Sequence, residues 1–454
     1  MQKIINIFRT IRSSIIYQLI TNILRNLHMF KLILCLIILI ITYILIFTNR
    51  RIRATSAFFG AILAITLGLI TFNKATSYID FNKLGIILGM MIFIIITKES
   101  GIFQYLAIKV TKYSKGNLLV LLVLLSLLAG FLSSILDEIT TMLFLANITL
   151  TIAHILEISP LPFLISEIIF SNVGGMATYV GTPVDIMIGS AANLNFYDFI
   201  YHMSPISLIL VTVNIFYLIN IFKNTIKKNN IPTEIIFRFS KIDEKKAITN
   251  PTLFKYSLLI LSIILVSSFF SHIINLNLAI IYLLGAIILL IISQDRPDDI
   301  YAQIDWRIIF FLIGLNILAG TLVENGLIEI ISSKLLSFAG NNINFLSFIT
   351  LGASTFMSSF LDNIPMIALN IPIIENISHH LGASYDILWW ALILGANIGA
   401  NGTLIGTASN LIVADIAEKN KQPIPFWYFI KVAFPLVIID LFIALIYFYL
   451  RYLS

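Results

Sequence analysis

Charge is what this sequence has least of. Only 11% of its 454 residues are charged, against roughly 25% in a soluble domain, which excludes an ordinary water-soluble fold. Cysteine is nearly absent too. The single Cys35 excludes an internal disulfide and any multi-cysteine metal site, and it reads as a packing residue of the first apolar run. No G-x-x-x-x-G-K-[ST] occurs, so the chain has no P-loop for ATP. No H-E-x-x-H and no nucleophile–histidine pair stands out, and the expectation is a protein that is not an enzyme. The net charge of +6 gathers in loops, as membrane topology requires, and does not point to nucleic acid.

Apolar residues make up 59% of the chain, and the mean hydropathy is +0.97. The runs "LILCLIILIITYILIF" (32–47) and "SAFFGAILAITLGLITF" (56–72) approach the roughly 20 residues that span a bilayer. Similar runs recur to the C-terminus. The first is too long for a signal-peptide core and no small-residue cleavage site follows it, so it reads as a span. The expectation is an all-α, multi-pass integral protein of a plasma or bacterial inner membrane, with the lipid bilayer as its partner.

The chain repeats itself. At a shift of 225, Gly89 meets Gly314, Glu99 and Gly101 meet Glu324 and Gly326, and Ser133, Ser134, Leu136 and Asp137 meet Ser358, Ser359, Leu361 and Asp362. On the same diagonal Asn172, Gly174, Thr178, Gly181 and Thr182 meet Asn397, Gly399, Thr403, Gly406 and Thr407. Rare polar and glycine residues do not align this way by composition. The sequence therefore divides into an N-terminal arm (1–30), a first repeat (31–222), a Lys-rich linker (223–255) and a second repeat (256–454). The arm has apolar residues at helical spacing and reads as an amphipathic surface helix.

Each repeat reads as five crossings plus a re-entrant hairpin, with one crossing made by a broken helix. In the first, the acidic pair Asp137–Glu138 marks the hairpin tip, and Gly174, Gly175, Gly181 and Pro183 break the helix that follows. Polar, irregular backbone at membrane depth is tolerated only where protein buries it or water reaches it. An odd number of crossings makes the two halves inverted repeats. With the linker inside, the outer loops 190–202, 273–277 and 381–387 carry no Lys or Arg, as the positive-inside rule requires.

Two tips and two breaks would meet at mid-membrane, where alternating-access carriers bind their cargo. The candidate binding residues from the first half are Ser133, Asp137, Glu138, Thr140, Asn172, Gly174, Thr178, Thr182 and Asp185. From the second they are Ser358, Asp362, Asn363, Asn397, Gly399, Asn401, Thr403, Thr407 and Asn410. A carboxylate costs about 2.5–3.5 kcal/mol at the centre of a membrane on insertion scales. No Lys or Arg lies in either tip or break, so cations or protons are the natural counter-charges. No cofactor is called for. Na⁺ is the one bound ion these oxygens suggest, at Asp137, Asn172, Asp362 and Asn397.

The motifs "SSILDEITTMLFLANITLTIAHIL", "SNVGGMATYVGTPVDIMIGSA", "SSFLDNIPMIALNIPII" and "WWALILGANIGANGTLIGTASNLIVADIAE" resemble the ion transporter superfamily. That group includes the arsenite-permease, NhaD-type antiporter, P-protein and citrate-transporter families. The resemblance covers roughly residues 55–450. It implies a two-hairpin inverted-repeat fold, commonly a homodimer, and ion-coupled carriage of a small ion or organic acid. The chain departs from the pattern at Glu138, where the family usually has Asn, and at "GTPVD" (181–185), where "GDPPN" is common. The leading functional expectation is a secondary transporter of the Na⁺/H⁺ antiporter kind. The alternatives are an anion or arsenite exporter, a di- or tricarboxylate carrier and, last, a channel.

Overall fold

The computed structural model describes residues 29–48, 52–227, 243–294, 296–340, 342–381 and 386–453. The expected amphipathic arm up to residue 28, residues 228–242 of the linker and 382–385 of an expected outer loop lie outside them. Among the described residues the structure is helical. The first half holds α1 (Met29–Thr48), α2 (Arg53–Thr66), α3 (Phe72–Ser77), α4 (Phe81–Glu99), α5 (Ile102–Tyr113) and α6 (Leu118–Ile135). It continues with α7 (Glu138–Ile155), α8 (Leu161–Gly175), α9 (Pro183–Ala191), α10 (Phe196–His202) and α11 (Ser204–Lys227). The second half holds α12 (Pro251–Phe269), α13 (Ser271–Ile274), α14 (Leu278–Ser293), α15 (Pro297–Gln303), α16 (Trp306–Glu324) and α17 (Leu327–Ala339). It ends with α18 (Ile343–Phe360), α19 (Asn363–Leu381), α20 (Asp386–Ala400), α21 (Ala408–Lys419) and α22 (Phe426–Phe448). Nine helices among the described residues are long and apolar enough to cross a membrane. The protein is an integral, multi-pass membrane protein.

The duplication reappears in the elements. Adding 225 to the bounds of α4, α6 and α8 gives the bounds of α16, α18 and α20. The helix starts repeat because their caps repeat. Asn117 Oδ1 accepts from the Leu119 and Val120 amides to start α6, and Asn342 Oδ1 accepts from the Asn344 and Phe345 amides to start α18. An Asn in this position satisfies amides that the first helical turn leaves unpaired.

Two compact units divide the described chain. The first joins the residues up to Asp80 to Trp306–Lys334. In it α2 packs on α16, with Gly314 against the backbone of Ala57 and Phe58. Lys74 pairs with Glu324, which also accepts from the Tyr78 hydroxyl at 3.3 Å. The second unit holds Phe81–Asp305 and Leu335–Ser454. There α4 packs on α14, with Gly89 against the backbone of Tyr282 and Leu283. This is the Gly314 contact repeated on the 225 diagonal, with the two halves exchanging roles.

The second unit also holds both hairpins and both broken helices. Every residue of α8 from Pro162 to Gly175 is buried, and so is every residue of α20 from Leu388 to Ala400. A helix buried all round is a core element. α12 is the opposite case: Leu259, Ile263 and Val266 are exposed, as an apolar helix facing lipid would be.

Candidate functional site

The site is built where helices stop. α6 ends at Ile135 and α7 begins at Glu138, leaving a two-residue tip of Leu136 and Asp137. α8 and α9 are separated by Met176–Thr182, and α20 and α21 by Asn401–Thr407. Each stop frees backbone groups that need partners when buried. Tip and break supply them to each other. The Glu138 amide donates to Gly181 O at 3.0 Å, and the Thr178 hydroxyl donates back to Ser134 O at 2.5 Å. In the second half the Asn363 amide donates to Gly406 O at 3.1 Å, and the Thr403 hydroxyl donates to Ser359 O at 2.6 Å. The Ser358 hydroxyl adds a bond to Ala396 O at 2.7 Å.

Packing holds tip and break at this distance. α6 crosses α8 with Gly130 against Gly174, backbone to backbone, and Gly399 meets Thr355 O and the Ser358 side chain. From α11, the Ser204 hydroxyl donates to Ala177 O at 2.8 Å and the Ser207 hydroxyl to Val173 O at 2.6 Å. These cover further carbonyls of the first break.

Four side-chain hydrogen bonds between candidate residues then join the halves. Asn172 Nδ2 donates to Asn410 Oδ1 at 3.1 Å and to Asn401 Oδ1 at 2.7 Å. Asn397 Nδ2 donates to Asp185 Oδ1 at 2.8 Å. The Thr407 hydroxyl donates to Glu138 Oε1 at 2.9 Å. Asn172–Asn410 and Asn397–Asp185 are the same pair on the 225 diagonal, with the halves exchanged. Thr182 and Thr407 meanwhile cap α9 and α21, accepting from the Asp185 amide at 3.1 Å and the Ser409 amide at 3.4 Å.

The candidate residues thus separate by role. Glu138, Asn172, Asp185, Asn397, Asn401, Thr407 and Asn410 form a buried cluster of three bonded groups across the halves: Asn172 with Asn401 and Asn410, Asn397 with Asp185, and Thr407 with Glu138. Thr178, Ser358 and Thr403 tie tips to breaks, and Gly174 and Gly399 permit the close packing. Asp137 is turned to its own helix: Oδ2 accepts from the Thr140 amide at 2.9 Å and the Thr140 hydroxyl at 2.7 Å. Asp362 Oδ1 accepts from the Ile364 amide at 3.1 Å. Both aspartates cap helices, and Glu138 and Asp185 each accept a bond from a side chain of the other half.

Unpartnered oxygens concentrate here. Ser133 Oγ, Glu138 Oε2, Asn172 Oδ1, Asp185 Oδ2 and Asn397 Oδ1 are buried with no hydrogen-bond partner within the protein. Asn363 Nδ2 is the one candidate donor in the same state. Asp137, Asp185 and Asp362 all act on the Glu138 carboxyl as like charges. No group of three His, Cys, Asp or Glu side chains placed to hold a metal ion exists among the described residues. The donors that remain are hydroxyl, amide and carboxylate oxygens, hard ligands that suit small cations of the main groups.

Sequence reading missed Gly130, Ser204, Ser207 and Ser409, which lies 3.3 Å from the Thr407 hydroxyl. Gly130 faces Thr355 on the 225 diagonal, so no repeat signal marks it. The serines lie outside the two motifs or beside stronger candidates.

Known proteins share this sequence and fold. The citrate transporter family matches over residues 43–395 and 318–453. A 46 kDa membrane protein of Mycobacterium leprae is 32% identical over 93% of this chain and 99% of its own length. An uncharacterized transporter of Mycobacterium tuberculosis is 31% identical over 91% of this chain and 97% of its own. The human P protein is 28% identical over 87% of this chain, which spans 57% of that longer protein. The YdaH transporter of Alcanivorax borkumensis has a similar fold, with a TM-score of 0.60, 11% identity, and coverage of 83% of this chain and 86% of that one.

Proposed function

This chain belongs to the citrate transporter family of membrane transporters, and from that premise we propose that it exchanges a small cation, Na⁺ foremost, for protons. The observation that carries the reading is the state of Glu138 and Asp185. Each is buried, each spends one oxygen on a bond to the other half, and each keeps one oxygen unpartnered. No Lys or Arg is present in the tip or break segments to offset them. A buried carboxylate without a basic partner must either be protonated or hold a cation. Competition between the two at one site is an exchange mechanism. The chain carries its cargo unchanged and performs no covalent chemistry.

Exchange also needs the site to face each side in turn, and the inverted arrangement of the halves is part of this proposal. A polar recess supports it. That recess takes residues from the end of α7, the start of α8, and the turn after α21. α7 and α21 are also joined at their starts by Thr407 and Glu138, so they run in the same direction. α9, the counterpart of α21, follows α8 away from that recess. Counterparts running in opposite directions are what inversion requires.

The test is purified protein in liposomes, given Na⁺, Li⁺, arsenite, citrate and chloride in turn under imposed pH and Na⁺ gradients. Proton counterflow driven by a Na⁺ or Li⁺ gradient, lost in Glu138→Gln, is the expected result. Citrate uptake without any cation dependence would overturn it in favour of an anion carrier. Flux without counterflow would make the protein a channel.

A further inference from the structure

Two buried carboxyls in membrane-depth helices are not used by the site described above, Asp440 in α22 and Glu167, and Glu167 is the one on a helix of the site itself. Glu167 lies in α8, with no exposed surface. Its Oε1 accepts from the Thr149 hydroxyl of α7 at 2.5 Å, and its Oε2 has no partner within the protein. The fold does not need this pair. On the 225 diagonal the same two positions are Leu392 in α20 and Ile374 in α19. Both are buried, and that half packs its equivalent helices with hydrocarbon alone. A carboxyl that its own structural twin does without is unfavourable by about 2.5–3.5 kcal/mol in a membrane interior and is functional by default.

Its position says what it could do. Asn172 of the bonded cluster lies five residues further along α8, a rise of about 7.5 Å. On the other side, Ala153 follows Thr149 by one helical turn, about 6 Å. Ala153 lines the polar recess of about 550 Å³, with Asn147, Leu150, His154, Asn420 and Gln422. Along α7 and α8, Glu167 therefore stands between a polar recess and the central cluster. The elements packed on α8 are α6, α7, α11, α20 and α21. α6 has no titratable side chain; α7 brings Glu138 and His154, α11 Tyr217, Lys223 and Lys227, α20 Asp386, and α21 Asp415, Glu418 and Lys419. The Thr149 hydroxyl is the hydrogen-bond partner of the Glu167 carboxyl.

We propose that Glu167 is a second proton-exchanging site of the carrier, loaded from the recess and passing its proton on to the cation site. An ionised Glu167 takes one proton at Oε2 from a hydrated proton in the recess, leaving water. It returns to the carboxylate by giving that proton to an ionised carboxylate of the central cluster as the cation leaves. Thr149 holds the carboxyl through Oε1 in both states. This role rests on the proposed cation–proton exchange, but the protonation of Glu167 itself does not.

Infrared difference spectra after a pH jump, on purified protein in liposomes, read the carboxylic-acid carbonyl directly. The wild type is expected to show a buried-acid band that changes with pH, and Glu167→Gln to lose that band. Glu167→Gln should also lose pH-gradient-driven cation flux while keeping cation–cation exchange at equal pH. Glu167→Leu, which copies the second half, controls for folding: it should be as thermostable as the wild type and behave like Glu167→Gln. An unchanged band in Glu167→Gln, or pH-driven flux with an unchanged pH profile in both variants, overturns the proposal. A Glu167 band present in a wild type with no proton-coupled flux overturns the exchange reading instead, and with it the transport role of this carboxyl.

Discussion

Gly130 packs backbone to backbone against Gly174 in the site region, and the contact yields a prediction with a size. A methyl group on Gly174 would sit 2.6 Å from Gly130 C, where carbon–carbon contacts run at about 3.5–4.0 Å. The obstacle is backbone, so no side-chain rotation relieves it. α6 and α8 must separate by about 1 Å, at about 1–3 kcal/mol for overpacking. The same movement stretches the Thr178–Ser134 bond from 2.5 Å and the Glu138–Gly181 bond from 3.0 Å, to about 3.5 and 4.0 Å, beyond useful hydrogen bonding. Losing both adds about 1–3 kcal/mol. Gly174→Ala should therefore destabilise by roughly 2–6 kcal/mol and detach the tip from the break. Thermal unfolding followed by size exclusion should show a lower Tm, and proteoliposome exchange should fall at least about tenfold, the equivalent of 1.4 kcal/mol. Gly352→Ala is the control, since a methyl there meets nothing within 4 Å and adds helix propensity. If Gly174→Ala matches Gly352→Ala in Tm and exchange, the close packing does not hold the site together.

Asp137→Asn should keep its cap, because Asn caps as well as Asp, and should leave Tm unchanged; its exchange should exceed that of Glu138→Gln, and equal losses would mean that the division between capping and bonded carboxyls is wrong. Asp362→Asn should likewise keep its cap and exchange better than Glu138→Gln, and loss of gradient-coupled exchange with protein still in the membrane would put that carboxyl in the exchange step. With Cys35 replaced, cysteines placed in 223–255 should label from one face of the membrane and those in 190–202 and 381–387 from the other; labelling of 223–255 and 381–387 from one side defeats the inverted repeat. Outside the membrane, Lys112 lies 2.5 Å from Glu244 and holds its carboxyl below the ordinary value of 4.5. A depressed carboxyl stabilises the folded form above its unfolded pKa and loses that contribution as pH falls through the lower, folded value. Hydrogen exchange at 244–250 should therefore be faster in Glu244→Gln than in wild type near pH 7, with the difference closing as pH falls through the lowered Glu244 value.

Much of this architecture is legible in the sequence, for a physical reason. Apolar runs report the spans directly, since a bilayer requires their length. The 225 diagonal locates both tips and both breaks, because capping and helix-breaking residues are chemically specific: Asn117 and Asn342, Asp137 and Asp362, Thr182 and Thr407 occur in pairs. What the sequence could not rank was the carboxyls. Asp137 and Glu138 are neighbours, and only the helix direction decides that Asp137 faces its own first turn while Glu138 reaches Thr407. The partition into compact units was hidden too. α2 packs on α16 and α4 on α14, pairings between distant parts of the chain that no local pattern encodes. Gly130 was invisible because its counterpart is Thr355.

The crosswise bonds of the cluster constrain how a duplicated gene can diverge. Neither copy owns a whole site, so a change in one copy is tested against the residue it meets in the other. Asn397 needs an acceptor at position 185 and finds one in Asp185. Position 410 must donate, because Asn410 Nδ2 serves Ala400 O and Thr403 O, which an aspartate could not do. The two copies have accordingly taken different duties. Glu138 and Asp185 are acidic where Asn363 and Asn410 are neutral, so the first copy holds the charge and the second supplies groups that hold it in place. Identical acidic copies would gather six carboxyls at these positions; four are present, Asp137, Glu138 and Asp185 from one copy and Asp362 from the other.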